Sequence, residues 1–313
     1  MNNERSKEIF TKNINIFTLA VIATMLWGSA YPSVKIGYEL FNIASVDTYG
    51  KILLAGYRFL IAGVLTILIT SVIRRKFVYP AKKNIVGIGL LGLIQTSLQY
   101  IFFYIGLSNT TGVKGAILNS TGTFIVVILA HFIYKNDKLN VQKTIGCLVG
   151  FIGVFIINIG GNTSGSGFSF TGEGFMMLAA ATFAIGSIIS KAVAKNEDSM
   201  VMTGYQLSIG GTVLVVIGFI GGGNLATPSP SAIILLLYMA VLSSVAFTIW
   251  AVLLKYNRVG KITIYNFLVP VFGTILSALY LQESIYSLKN IIALICVCLG
   301  IYIVNRSKKG LAL

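Results

Sequence analysis

Charged side chains are scarce in this chain. Lys, Arg, Asp and Glu make up 11% of its 313 residues, where about a quarter is usual for a soluble protein. Only nine of these are acidic, and none stands deep inside an apolar run as an evident proton carrier. There is a single histidine, His131. Cys147, Cys296 and Cys298 all fall within apolar stretches, where cysteine reads as a small packing residue, and their spacing excludes a disulfide framework or a cysteine-based metal site. No glycine-rich phosphate loop ending in lysine is present, so ATP is not the direct energy source. With no nucleophile beside a base and no acidic metal ligands at one face, the chain does not read as an enzyme. It implies no cofactor.

Long hydrophobic runs are what the chain has instead. Hydrophobic residues make up 56% and the mean hydropathy is +0.85. A helix needs roughly 20 apolar residues to cross a bilayer, and ten such stretches follow one another: Ile16–Gly37, Tyr49–Ile73, Ile85–Leu107, Val113–Tyr134, Thr144–Ile159, Gly174–Ala194, Val201–Ile220, Ala232–Leu254, Ile262–Leu281 and Ile291–Asn305. The shorter fifth and tenth must draw on flanking residues to span. The first exceeds the apolar region of a signal peptide and is followed by nine more, so it reads as a retained helix. The expected fold is an all-α integral membrane protein in which ten transmembrane helices form two inverted five-helix repeats. Residues 1–15 and 306–313 are tails, 16–159 and 174–305 are the repeats, and 160–173 is a Gly/Ser/Thr-rich linker outside the membrane, uncharged up to Gly172.

The formal charge of +15 does not indicate a nucleic-acid partner, because the basic residues sit in short loops and not on one folded surface. Alternate loops carry Arg5, Lys7 and Lys12, then Arg74 to Lys76 with Lys82 and Lys83, then Lys135, Lys138 and Lys143, then Lys191 and Lys195, then Lys255, Arg258 and Lys261, then Arg306, Lys308 and Lys309. The opposite side has Lys35, Lys51, Lys114 and Lys289. By the positive-inside rule, this bias places both termini in the cytoplasm of a multi-pass cell-membrane protein.

The chain also resembles itself. At an offset of 147 residues, Asn119 falls on Asn266, Gly153 on Gly300 and Asn158 on Asn305; at nearby offsets Ala23 and Lys35 fall on Ala179 and Lys191, and Asn109 and Gly112 on Asn257 and Gly260. Five spans per unit, an odd number, would insert the second unit upside down relative to the first. Inverted repeats around a midplane site are a feature of secondary transporters. A channel-like pore and a membrane receptor remain as alternatives, distinguished by flux without reorientation and by binding without flux.

Trp27-Gly28 with Lys35 beyond it, Arg58-Phe59, the turn from Leu107 to Gly115, and Val269-Pro270-Val271 with Gln282-Glu283 occur in an order and spacing that resembles the EamA-type family of drug/metabolite transporters. The resemblance covers nearly the whole chain. It implies a ten-helix carrier of the cytoplasmic membrane, commonly an exporter of amino acids, metabolites or toxic analogues. Thr123 stands where the family often has proline in the fourth helix, and Asn136-Asp137 replaces the usual glutamate after it.

Polar groups inside membrane spans mark partners or an aqueous cavity. The third span offers Gln95, Gln99, Tyr100 and Tyr104, with Gln95 and Gln99 four apart and therefore expected on one face; the fourth offers Asn119 and Thr123. Trp27 and Tyr31 precede Pro32, which is expected to interrupt the first helix. Ser244 and Trp250 in the eighth span, with Tyr265, Asn266 and Pro270 in the ninth, would close a substrate cavity from the other half. Aromatics also pack helices and form interfacial belts, so these carry weight as a group. Lys35, Arg58, His131, Glu173 and Glu283 are candidates for gating or coupling, and Arg58 could meet Glu39 or Asp47 if the intervening loop folds back. The partners implied are a small-molecule substrate, most simply a neutral or zwitterionic amino acid, membrane lipids and, as a candidate coupling ion, the proton. A single chain suffices for function.

Overall fold

A computed structural model describes residues 3–158, 169–282 and 288–305. Every regular element among them is helical. A short helix, Asn3–Thr11, precedes α1 (Asn13–Leu40), α2 (Thr48–Arg74), α3 (Lys82–Ser108), α4 (Gly112–Asn119 continued by Gly122–Ile133) and α5 (Val141–Asn158). Then come α6 (Phe170–Ala194), α7 (Ser199–Ile220), α8 (Pro230–Tyr256), α9 (Val259–Leu281) and α10 (Leu288–Asn305). Seven of these helices, α1 to α3 and α6 to α9, are long and apolar enough to cross a membrane. The shortest of the seven has 22 residues, about 33 Å at 1.5 Å per residue.

Helices extend beyond the apolar runs wherever a polar cap satisfies their first amides. Asp47 accepts from Gly50 N–H at 2.7 Å, Asp198 from Met200 and Val201, and Ser229 from Ala232, with Pro230 in the first turn of α8. α6 starts at Phe170, so the described end of the expected linker is already helical. α1 stays helical through Pro32, although proline cannot donate to the carbonyl one turn earlier, at Gly28.

The helices pair in a regular scheme. α2 packs along α7, α5 along α10, α1 against both α8 and α9, and α6 against both α3 and α4. Close approach depends on glycine, as is common where lipid offers no hydrophobic incentive for helix association. A Cβ on Gly63 would lie 2.3 Å from the amide nitrogen of Ser208, and one on Gly211 would lie 2.3 Å from that of Leu60, both across the α2–α7 contact. The α5–α10 contact is alike: Gly300 of α10 sits against the carbonyl of Gly146 and the backbone of Gly150. Large apolar side chains such as Phe17, Leu68, Val72, Phe219 and Ile234 point outward, while a cluster of aromatic rings fills the interior.

Candidate substrate cavity

Three helices depart from α-geometry at the centre of the bundle. α3 opens into a π-helix over Gly92–Leu98, α4 breaks at Ser120 and Thr121, and α9 tightens into a 3-10 turn over Ile264–Phe267. Such irregularities recur at functional sites, and in a membrane they persist where the backbone is enclosed by protein. Close to them lies a cavity of about 40 Å³, space for a few waters.

Asn119 and Asn266, at the irregular points of α4 and α9, both line it, together with Gln99 from the helical turn that follows the π segment. The side-chain carbonyl oxygens of all three amides are buried with no hydrogen-bond partner among the described residues. Asn119 Nδ2 donates to Tyr31 Oη at 3.2 Å. Trp27, Tyr31, Tyr100, Phe103 and Phe183 form aromatic walls. Trp27 stands edge-on to Phe183 at 5.8 Å and to Trp250 at 5.0 Å, and its indole N–H likewise has no partner among the described residues. The arrangement offers donor-seeking amide oxygens inside a ring of π-faces, suited to a small solute with N–H donors and apolar surface.

Other candidates lie elsewhere. Gln95 does not line the cavity with Gln99; its side-chain oxygen accepts from Gln206 at 3.0 Å, across the contact with α7. Tyr104 lies behind the wall, accepting from Arg58 Nη1 at 3.3 Å. Thr123 donates to the Thr263 carbonyl at 3.3 Å, Ser244 shares a 2.6 Å hydrogen bond with Thr66, and Tyr265 meets Phe17 edge-on. Trp250 and Pro270 are buried beside the cavity without lining it.

Among the gating candidates, Arg58 is fully buried and bonds Ser243 and Tyr104; Asp47 caps α2, and Glu39 is exposed. Lys35 donates to the carbonyl of Thr110 at 2.9 Å, and nearby Glu173 pairs with Lys114. At the opposite end of the bundle, Lys191 donates to the carbonyl of Asn257, and buried Asp137 bridges Lys143 at 2.5 Å and Gly260 N–H at 2.8 Å. His131 accepts from Leu139 N–H through Nδ1 at 3.0 Å, fixing the loop after α4. Glu283 lies outside the described residues.

Sequence reasoning passed over Phe183, Phe103, Ala30 and Val269 as lining residues. Phe183 was within reach: the offset of 156 that carries Ala23 to Ala179 and Lys35 to Lys191 also carries Trp27 to Phe183.

A multi-pass helical bundle with a polar and aromatic cavity, and with no cluster of metal-ligating residues among those described, is the architecture of a membrane transporter. The sequence profile of the EamA-like transporter family matches residues 15–159 and again 170–306, and the chain belongs to that family. It is 28% identical over 299 residues to a chloroplastic WAT1-related protein of Arabidopsis thaliana, covering 92% of this chain and 69% of that one. It is 25% identical to the uncharacterized transporter YoaV of Bacillus subtilis (90% and 94% covered) and 23% identical to the inner membrane transporter YedA of Escherichia coli (85% and 83%). A crystal structure with 17% identity superposes with a TM-score of 0.73, covering 93% of this chain and 96% of the other; it shares the fold.

Proposed function

We propose that the protein is a secondary carrier of small amino acids or related metabolites, in which two inverted five-helix repeats, ten spans in all, alternate around the central cavity. The observation that carries this reading is the convergence of repeat partners on one place. Asn119 and Asn266 line the cavity from α4 and α9, as Trp27 and Phe183 do from α1 and α6. The packing scheme supports it: exchanging α1 to α5 for α6 to α10 maps the helix pairs of the bundle onto one another.

The two ends of the bundle support gating by equivalent parts. Lys35 and Lys191, partners at the offset of 156, each hold a carbonyl in the turn before the next irregular helix, at Thr110 and Asn257 respectively. Opening one set while the other stays closed would expose the amides to one side at a time. The basic loops put both termini in the cytoplasm, and export is the direction the family habit favours. A cavity walled by aromatic rings and amides suits a neutral or zwitterionic solute. A channel would need a continuous pore, for which no feature speaks.

The experiment is uptake and efflux of labelled amino acids in proteoliposomes, with and without a proton gradient. Saturable flux accelerated by unlabelled substrate on the far side supports the carrier. Flux that neither saturates nor shows such acceleration would oppose it, and a response to the gradient would identify the proton as coupling ion.

A further inference from the structure

Arg58 is a fully buried cation with no carboxylate at ion-pair distance among the described residues. The ion pairs formed among those residues join Glu8 to Lys12, Asp198 to Arg74, Glu173 to Lys114 and Asp137 to Lys143. Nε donates to Ser243 Oγ at 2.9 Å and Nη1 to Tyr104 Oη at 3.3 Å, while Nη2 has no partner among them. The guanidinium carbon lies 4.8 Å from the ring centre of Phe59 and 5.8 Å from that of Tyr100. Two hydroxyls and two ring faces hold the group in place, yet they do not neutralise it. An uncompensated charge inside a membrane protein is costly and characteristic of function.

Arg58 does not itself line the cavity, but Tyr100 is both a cavity wall and a neighbour of the guanidinium. On the cavity side the unpartnered amide groups have the opposite character: the carbonyl oxygens of Gln99, Asn119 and Asn266 seek N–H donors, while the indole N–H of Trp27 is an unpartnered donor beside them. The guanidinium therefore lacks an anion, and the three amide oxygens lack donors. Resting on the carrier reading, we propose that Arg58 docks the carboxylate of the cargo while the three amides receive its ammonium group, so that the substrate class is the zwitterionic amino acid. The planar guanidinium suits a carboxylate. The ring of Tyr100, packed 4.1 Å from that of Phe59, must swing aside to admit it. Binding cancels the buried charge before the carrier reorients.

The test uses the full chain in proteoliposomes with L-leucine and L-phenylalanine, each beside its methyl ester, which keeps the ammonium and removes the anion. Wild type should carry the acids roughly tenfold or more better than the esters, the scale of one lost charge-assisted contact. Arg58→Met should bring the acids down to the level of the esters, and Arg58→Lys should restore part of the preference with a raised KM. Arg58→Met should also melt no lower than wild type in detergent, since it removes an uncompensated charge, which separates loss of binding from loss of fold. Equal flux of acid and ester in wild type, or a folded Arg58→Met that keeps the preference, overturns the assignment alone. Ester flux that depends on chloride in wild type but not in Arg58→Met would give the site to a free anion and overturn its role in cargo binding. Absence of saturable flux for every probe would overturn the carrier reading, and the proposal with it.

Discussion

Replacing Asn266 by leucine should stabilise the empty protein while abolishing transport. The Asn266 side chain is buried, its carbonyl oxygen has no partner among the described residues, and it faces the cavity. A buried polar atom left unsatisfied costs about 1–3 kcal/mol, and an apolar side chain of similar length removes that cost, with the adjoining cavity of about 40 Å³ taking up the added bulk. Gln95→Met is the matched control. Gln95 is equally buried but engaged with Gln206 at 3.0 Å, so its loss strands a partner and destabilises by about the same 1–3 kcal/mol. Melting in detergent without substrate should therefore move in opposite directions for the two variants, by several degrees each at roughly 2–4 °C per kcal/mol. Flux in proteoliposomes should vanish for Asn266→Leu and persist for Gln95→Met. A lowered melting temperature for Asn266→Leu with flux retained would refute the reasoning, because it would mean the amide serves packing.

The helix contacts and the ends of the bundle give further tests. Gly63→Ala should lower the melting temperature by the roughly 1–3 kcal/mol typical of overpacking, as its Cβ would fall 2.3 Å from Ser208 N, whereas Gly89→Ala, with open space around the position, should be neutral or stabilising; equal effects in thermal melts would contradict the close α2–α7 contact. Asp137→Asn removes the charge that holds Lys143 and weakens the tie to Gly260, so a cysteine placed at Asn119 should react faster with an impermeant thiol reagent applied from that end, and an unchanged rate would count against a gate there. His131→Ala should leave the response of flux to a proton gradient unaltered, since the imidazole is engaged by the Leu139 amide; loss of that response would make His131 a proton carrier.

The helices were legible because lipid demands long apolar runs, and their interiors agree with the described elements. The ends were displaced outward by Asp47, Asp198 and Ser229, whose caps carry helices past the apolar boundary. In the site, the amides of Asn119, Asn266 and Gln99 and the rings of Trp27, Tyr31 and Tyr100 could be read as cavity groups, since a polar or amphipathic side chain amid apolar neighbours needs a reason. What could not be read was the partner of Gln95: Gln206 of α7, more than a hundred residues away, takes up its side chain, while Gln99 lines the cavity. Pro32 leaves α1 helical throughout, whereas Pro270, which cannot donate to the Asn266 carbonyl, stands in the turn directly after the 3-10 segment of α9. Arg58 could be recognised as costly from its depth alone, but its partners, Ser243 and Tyr104, come from distant helices that no local pattern predicts.

Alternating exposure of one cavity is the central claim, and labelling of a single cavity thiol tests it most directly. With Cys147, Cys296 and Cys298 replaced by serine or alanine and Asn266→Cys introduced, an impermeant thiol reagent would be applied to right-side-out and inside-out vesicles. The account predicts that the thiol reacts from both faces, and that a transported solute changes the two rates in opposite directions. Reaction from one face alone, unaffected by any solute the protein carries, would contradict it.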